Sequence, residues 1–415
     1  MIKSSYAFIT VAGLMAALAV ALLPAAATVP AARPFLAGAV APVPITVRVF
    51  DGNTFVPGLT LDDFELLESG YAAKPQALFL LRKNAVERQE GVLAVRPDFT
   101  RRISLIFQLS DYNSRLAEAM QYFFEQGLVP GDTLEIQTPT GNYGLTPEHL
   151  AAKPRAVLAR ELSDIVRKDI ISGNMGYNSL IRDLKRIIRQ ISGAGRTGLS
   201  DTEGEIDDGS SLEQLITTYA ESLQQVEGMR VLNEQSLLRF GAGLKARPGM
   251  KTVYYFYQRE FRPEIDSKTT NMLLLQNQDR PNVLAAVQTI FGMYSRDIIM
   301  DHQRLRRVFA DANATFNLLY MNKAPERIVG VNMREQSEDV FKALTSITTA
   351  TGGVTDTSQN PAASMKAALA GAEACYVLYF TPSVAAPPGT FLDVNVKVKG
   401  RDYRVVYRAG YLSGS

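Results

Sequence analysis

From Arg101 to Asp356 the chain alternates short apolar runs with long amphipathic stretches. The runs Ile103–Leu109, Thr133–Gln137, Thr252–Tyr257 and Thr315–Tyr320 have strand length. The stretches at Ser114–Gln126, Pro147–Ile165, Ser179–Ile191, Leu212–Leu244, Pro281–Asn313 and Ser337–Thr349 carry helical spacing. Strands alternating with crossover helices define an α/β sheet, and runs this apolar are buried on both faces.

The flanks read differently. Ile45-Thr46-Val47-Arg48-Val49-Phe50 alternates apolar with polar, and Asp51-Gly52-Asn53 supplies a turn. Near the other end Val394, Val396 and Val398 alternate with Asn395, Lys397 and Lys399 before the turn Gly400-Arg401-Asp402. Each flank alone buries too little surface, so the two are expected to pack together. The organisation predicted is a leader at 1–27, an N-terminal β segment at 28–99, an α/β domain at 100–357 and a C-terminal helix and β segment at 358–415. The stretch 193–211, with Asp201, Glu203, Glu205, Asp207 and Asp208, reads as a solvated acidic loop inserted in the α/β domain.

The leader carries Lys3, a long apolar stretch from Ala7 to Leu23, Pro24 and then Ala25-Ala26-Ala27, the pattern of a secretory signal. It predicts export to the periplasm or beyond, with no membrane contact after cleavage; an uncleaved anchor is the alternative. Forty-four basic against 42 acidic residues leave a formal charge of +2, which gives no footprint for a nucleic-acid partner. Cys375 is the only cysteine, so an intramolecular disulfide and a multi-thiolate zinc site are excluded.

Three stretches carry a resemblance: Gly58-Leu59-Thr60-Leu61-Asp62-Asp63-Phe64-Glu65-Leu66-Leu67-Glu68, Leu128-Val129-Pro130-Gly131-Asp132, and Tyr376-Val377-Leu378-Tyr379-Phe380-Thr381-Pro382 leading to Arg408-Ala409-Gly410-Tyr411. In their order and spacing the chain resembles the VWFA-related domain family of secreted bacterial proteins. The resemblance implies a doubly wound, mostly parallel sheet of the von Willebrand factor A type, flanked by β segments. It also implies a metal-ion-dependent adhesion site, built in that family from Asp-x-Ser-x-Ser after the first strand, a later Thr and a distant Asp.

Position by position, those residues fall on Ser110, Tyr112, Ser114, Asn178 and Gln258. Both carboxylates are replaced, and neutral oxygens alone hardly offset the dehydration of a small divalent cation. No cofactor is therefore expected. The implied function is binding of a protein partner at the carboxyl edge of the sheet, along a rim of Ser110, Asp111, Asn113, Ser114, Asn178, Gln258 and Glu260. Two alternatives stand beside it: a magnesium or manganese site that uses Asp111 and Glu260, and a hydrolase with an unrecognised site. His149 and His302 are the only histidines, and no nucleophile-elbow or phosphate-loop motif accompanies them. The reading is accordingly not an enzyme.

Overall fold

The structure is a computed structural model that describes residues 41–94, 96–193, 208–229, 232, 234–294 and 300–414. The predicted leader and most of the acidic insertion lie outside the described residues.

The apolar runs of the middle region lie side by side in one six-stranded sheet. Its order is Thr355–Asp356, Ala314–Met321, Met250–Gln258, Arg101–Gln108, Thr133–Gln137 and Asn142–Leu145. The first five run parallel, with Ile103 opposite Thr252 and Thr252 opposite Thr315. The last turns back antiparallel. Successive side chains point to opposite faces, so each strand feeds two cores. Leu105, Phe107, Tyr254 and Phe256 meet the helices Leu116–Tyr122, Arg155–Gly173 and Pro361–Gly371 on one side. Ile106, Val253, Tyr255 and Phe316 meet Glu234–Lys245, His302–Asp311 and Glu338–Ala350 on the other. Phe107 and Phe256 stack across neighbouring strands at 4.8 Å, an arrangement that adds about 1 kcal/mol beyond area burial.

The chain ends build a second body. Arg404–Tyr407, Val43–Asp51, Ala374–Phe380, Pro75–Arg82 and Ala85–Gly91 form one antiparallel sheet, with Thr54–Phe55 pairing beside Val43–Asp51. Gly410–Leu412, Phe391–Val398, Phe64–Glu68 and Tyr71–Ala73 form the other. Ile45, Val47, Leu66, Tyr376, Val394 and Val396 share the core of this sandwich. Glu68 is fully buried there, and its carboxylate accepts Ser383 N–H at 2.8 Å, Val384 N–H at 3.0 Å and the Tyr411 hydroxyl.

The expectation of a doubly wound, mostly parallel, von Willebrand factor A-like sheet is not met by this chain. Among the described residues parallel pairing is confined to four strand pairs of one mixed sheet. The remaining ten pairings, spread over all four sheets, are antiparallel. The reading extended the logic of a few apolar runs to the whole molecule. The alternating strands of the flanks instead close a sandwich with its outer faces wet, which antiparallel pairing allows. An antiparallel ribbon, Phe261–Ile265 with Val331–Glu335, was not anticipated either. It packs on a separate core with the helices Met175–Ile191, Asp208–Gly228 and Pro281–Tyr294.

Local chemistry also moved helix boundaries. Pro154 stands at the N-cap of Arg155–Gly173 and separates it from Pro147–Ala151, because a proline interrupts the hydrogen-bond ladder. Gly352, with φ of 69°, follows the last turn of Glu338–Ala350. At Gly353 a side chain would lie 1.8 Å from the Phe316 carbonyl oxygen, so only glycine lets Thr355–Asp356 join the sheet.

The sandwich seals the amino ends of the parallel strands. Arg48 donates to Thr315 Oγ1 at 2.9 Å, and Arg408 donates to the carbonyls of Pro44 at 2.7 Å and Ala310 at 3.3 Å. Both guanidiniums are 5% exposed, and burial holds their pKa values below the ordinary range, Arg408 to about 10. Lys251, in the same layer, is lowered to about 8 by burial and then by the charges of Arg408 and Arg102.

Candidate functional site

At the opposite, carboxyl ends of the strands the chain leaves a cavity of about 210 Å3, open to solvent. Its floor follows from two strand ends. Arg101–Gln108 and Met250–Gln258 are parallel neighbours, so residues at and just past their carboxyl ends meet. Gln258 Oε1 accepts Ser110 N–H at 3.1 Å, Ser110 Oγ at 3.1 Å and Asp111 N–H at 2.8 Å. Asn178 Nδ2 donates to the Ser110 carbonyl at 3.0 Å. One helical turn earlier in sequence, Asn174 Nδ2 donates to the Leu109 carbonyl at 2.8 Å. The break between the helices Arg155–Gly173 and Met175–Ile191 thus places two asparagines against one strand end.

Ser110, Asp111, Asn178 and Glu260 line the cavity. The other predicted rim residues do not. Asn113 turns into its own loop, where Oδ1 accepts Arg115 N–H at 2.9 Å and Nδ2 reaches the Gln359 carbonyl at 3.4 Å. Ser114 is exposed beside it. Tyr112 packs against the core with the Arg167 guanidinium 5.7 Å from its ring, and burial raises its pKa. Gln258 lies below the cavity, holding its floor. Asp111 does not cap a helix: the helix begins at Leu116, its N-cap is Arg115, and it runs for only 7 residues.

Sequence reasoning missed the charged wall. The loop after Ala314–Met321 carries Lys323, whose ammonium bonds the Asp111 carboxylate. Lys185 pairs with Glu326 at 2.8 Å. Arg259 pairs with Glu335 and donates to Asn322 Oδ1 at 3.2 Å, and the Glu335 contact raises its pKa. The signal for Lys323 was present, since its strand neighbours Met250–Gln258 and its loop must emerge at the same edge.

This donor set does not fit a small divalent cation, which takes about six hard oxygens with carboxylates among them. The Gln258 carbonyl already accepts three donors, and an ammonium occupies Asp111. Among the described residues no group of three or more His, Cys, Asp or Glu is placed to hold a metal.

The histidines stand apart from the cavity. His149 shares a capping box with Thr146, and His302 opens the helix capped by Asp301. Tyr254, Tyr255 and Tyr257 are each at most 3% exposed, so they serve the two cores rather than an aromatic platform. Burial pushes the Cys375 thiol up to about 11. No helix among the described residues is long and apolar enough to cross a membrane.

The sequence matches no known family profile and no curated protein. Among solved structures it is similar to the human COPII-coat protein Sec24c, with a TM-score of 0.28 and 7% identity over 76% of this chain. The match spans 44% of that chain, and a likeness this slight carries no argument about fold or function.

Proposed function

We propose that the chain is an exported protein-interaction module that receives a protein partner at the carboxyl edge of its parallel strands without a bound metal. The observation that supports it most is the self-contained floor of the edge cavity. Three donors converge on Gln258, and Lys323 neutralises Asp111, so the edge needs no cation to hold its shape. Preorganised polar surface of this kind lowers the entropy cost of docking. Export rests on the leader sequence alone.

A photoreactive residue at Asn113, on the rim but outside the cavity, tests the reading in the producing cell. The expected result is a discrete cross-linked protein in the exported fraction that persists in the presence of a chelator. Loss of the cross-link with the chelator favours the Asp111 and Glu260 cation site. Equal cross-linking from the outer face of the sandwich, at Asn395, defeats the proposal.

A further inference from the structure

The helix Met175–Ile191 buries Ile181, Leu184, Ile187, Ile188 and Ile191 and turns Arg182, Arg186 and Arg189 to solvent. Those arginines recur at helical spacing, so they form one ridge. The ridge begins at the edge cavity, which Arg182 lines.

Among the described residues the charges around it do not balance. Asp183 holds Arg186 at 2.9 Å in an exposed pair, and Glu326 is taken by Lys185. Among the described residues Arg182 has no partner and Arg189 donates only to the Lys185 carbonyl at 3.3 Å. A loop runs beside the helix for two turns: Glu326 touches Lys185, and Gly330 lies against Ser192. Between them the loop presents Arg327, which also has no partner among the described residues, and Val329, which is 76% exposed. The turn that displays this valine is fixed by Val331 N–H on the Ile328 carbonyl at 3.2 Å and by Gly330 at φ 78°.

We infer that this ridge docks an acidic segment of the partner protein, with carboxylates on Arg182, Arg189 and Arg327 and an apolar side chain against Val329. Guanidiniums suit this task because they bind carboxylates bidentately and desolvate more readily than ammonium groups. With a formal charge of +2 for the whole chain, the attraction is local to the ridge rather than a property of the molecule. The inference rests on the partner-binding reading and names the chemistry of that partner.

The test uses the full chain and a fluorescein-labelled peptide of glutamates around a single leucine, followed by fluorescence anisotropy. Binding should weaken as salt rises. The variant Arg182→Glu/Arg186→Glu/Arg189→Glu should lose at least tenfold in affinity with an unchanged melting temperature, since all three side chains are exposed. The matched reversal Lys397→Glu/Arg401→Glu/Arg404→Glu on the sandwich should bind as the parent does. Val329→Ser should weaken binding severalfold. Affinity within twofold of the parent in the ridge variant overturns the inference, as does equal binding of a glutamine peptide. Competition by single-stranded RNA as effective as by unlabelled peptide also overturns it, by showing generic polyanion binding. The Asn113 cross-link separates the two claims. Its persistence in a chain whose ridge fails the peptide test leaves the rim reading standing, and its absence from a chain whose ridge passes removes the rim alone.

Discussion

Asp311 and Asp111 each hold a lysine ammonium, at opposite ends of the parallel strands of the mixed sheet, and their surroundings give the two pairs different tasks. The Asp311 side chain is 4% exposed; it holds Lys245 at 2.6 Å and accepts Leu412 N–H at 2.9 Å, tying the last strand of the sandwich to the α/β body. The Asp111 side chain is 42% exposed and its lysine is 40% exposed, so water screens that pair. The amino edge therefore uses buried charge to join two bodies. The carboxyl edge keeps charge wet, where it stabilises little and remains available to a partner.

The strongest way to break this comparison is Asp311→Ala. It takes the acceptor from the Leu412 N–H and removes the carboxylate that offsets the buried charges of Arg408 and Lys251, and should cost about 3 kcal/mol in chemical denaturation. A loss below about 1 kcal/mol would show that the amino edge is no more integral than the open one.

Next in size is a gain. Millimolar magnesium or manganese should leave the melting temperature of the natural chain unchanged. Ser110→Asp with Gln258→Asp adds two carboxylates beside Asp111, and a cation at a hundred times its dissociation constant would then stabilise by about 2.7 kcal/mol. A shift in the natural chain that Asp111→Ala abolishes would instead establish a native cation site at the open edge.

The third prediction concerns pH at the sealed edge. Lys251 has a folded pKa of about 8 against an ordinary 10.5, so above pH 8 the unfolded chain binds more protons and stability rises with pH. The slope reaches at most about 1.4 kcal/mol per unit. Cys375, raised to about 11 from 9.0, acts in the opposite sense above pH 9, so the clean window is pH 8 to 9. Lys251→Met should flatten the profile in that window, and an unchanged slope would show that the lysine is hydrated.

The smallest effect is expected for Asp111→Ala, below about 0.5 kcal/mol on stability. A loss comparable to that of Asp311→Ala would erase the contrast.

How much of this could be read beforehand varies by region. The strands Arg101–Gln108, Met250–Gln258 and Ala314–Met321 were legible because each is a local apolar run, while Ser110 and Gln258 came from the family resemblance and stand at the carboxyl ends of two of them. Arg48, Lys251 and Arg408 were not singled out in the sequence. Their burial depends on Pro44 meeting Arg408 across a separation of 364 residues, which no local pattern encodes. Lys323 and Arg182 escaped for a related reason: the expected site was framed as lost carboxylates, and cations on a later loop and a neighbouring helix were left outside it. The overall sheet type was misjudged because pairing direction is set by which strands meet, not by how apolar each is.

The sandwich also dictates when the molecule can be finished. Val43–Asp51 lies between Ala374–Phe380 and Arg404–Tyr407, so this strand waits for both partners until more than 350 further residues, as far as Arg404–Tyr407, have been made. Long loops of this kind close slowly and leave strand edges bare meanwhile. Synthesis interrupted before Arg404 would leave Val43–Asp51 without one of its two partners, a bare strand edge that favours aggregation over a smaller working domain.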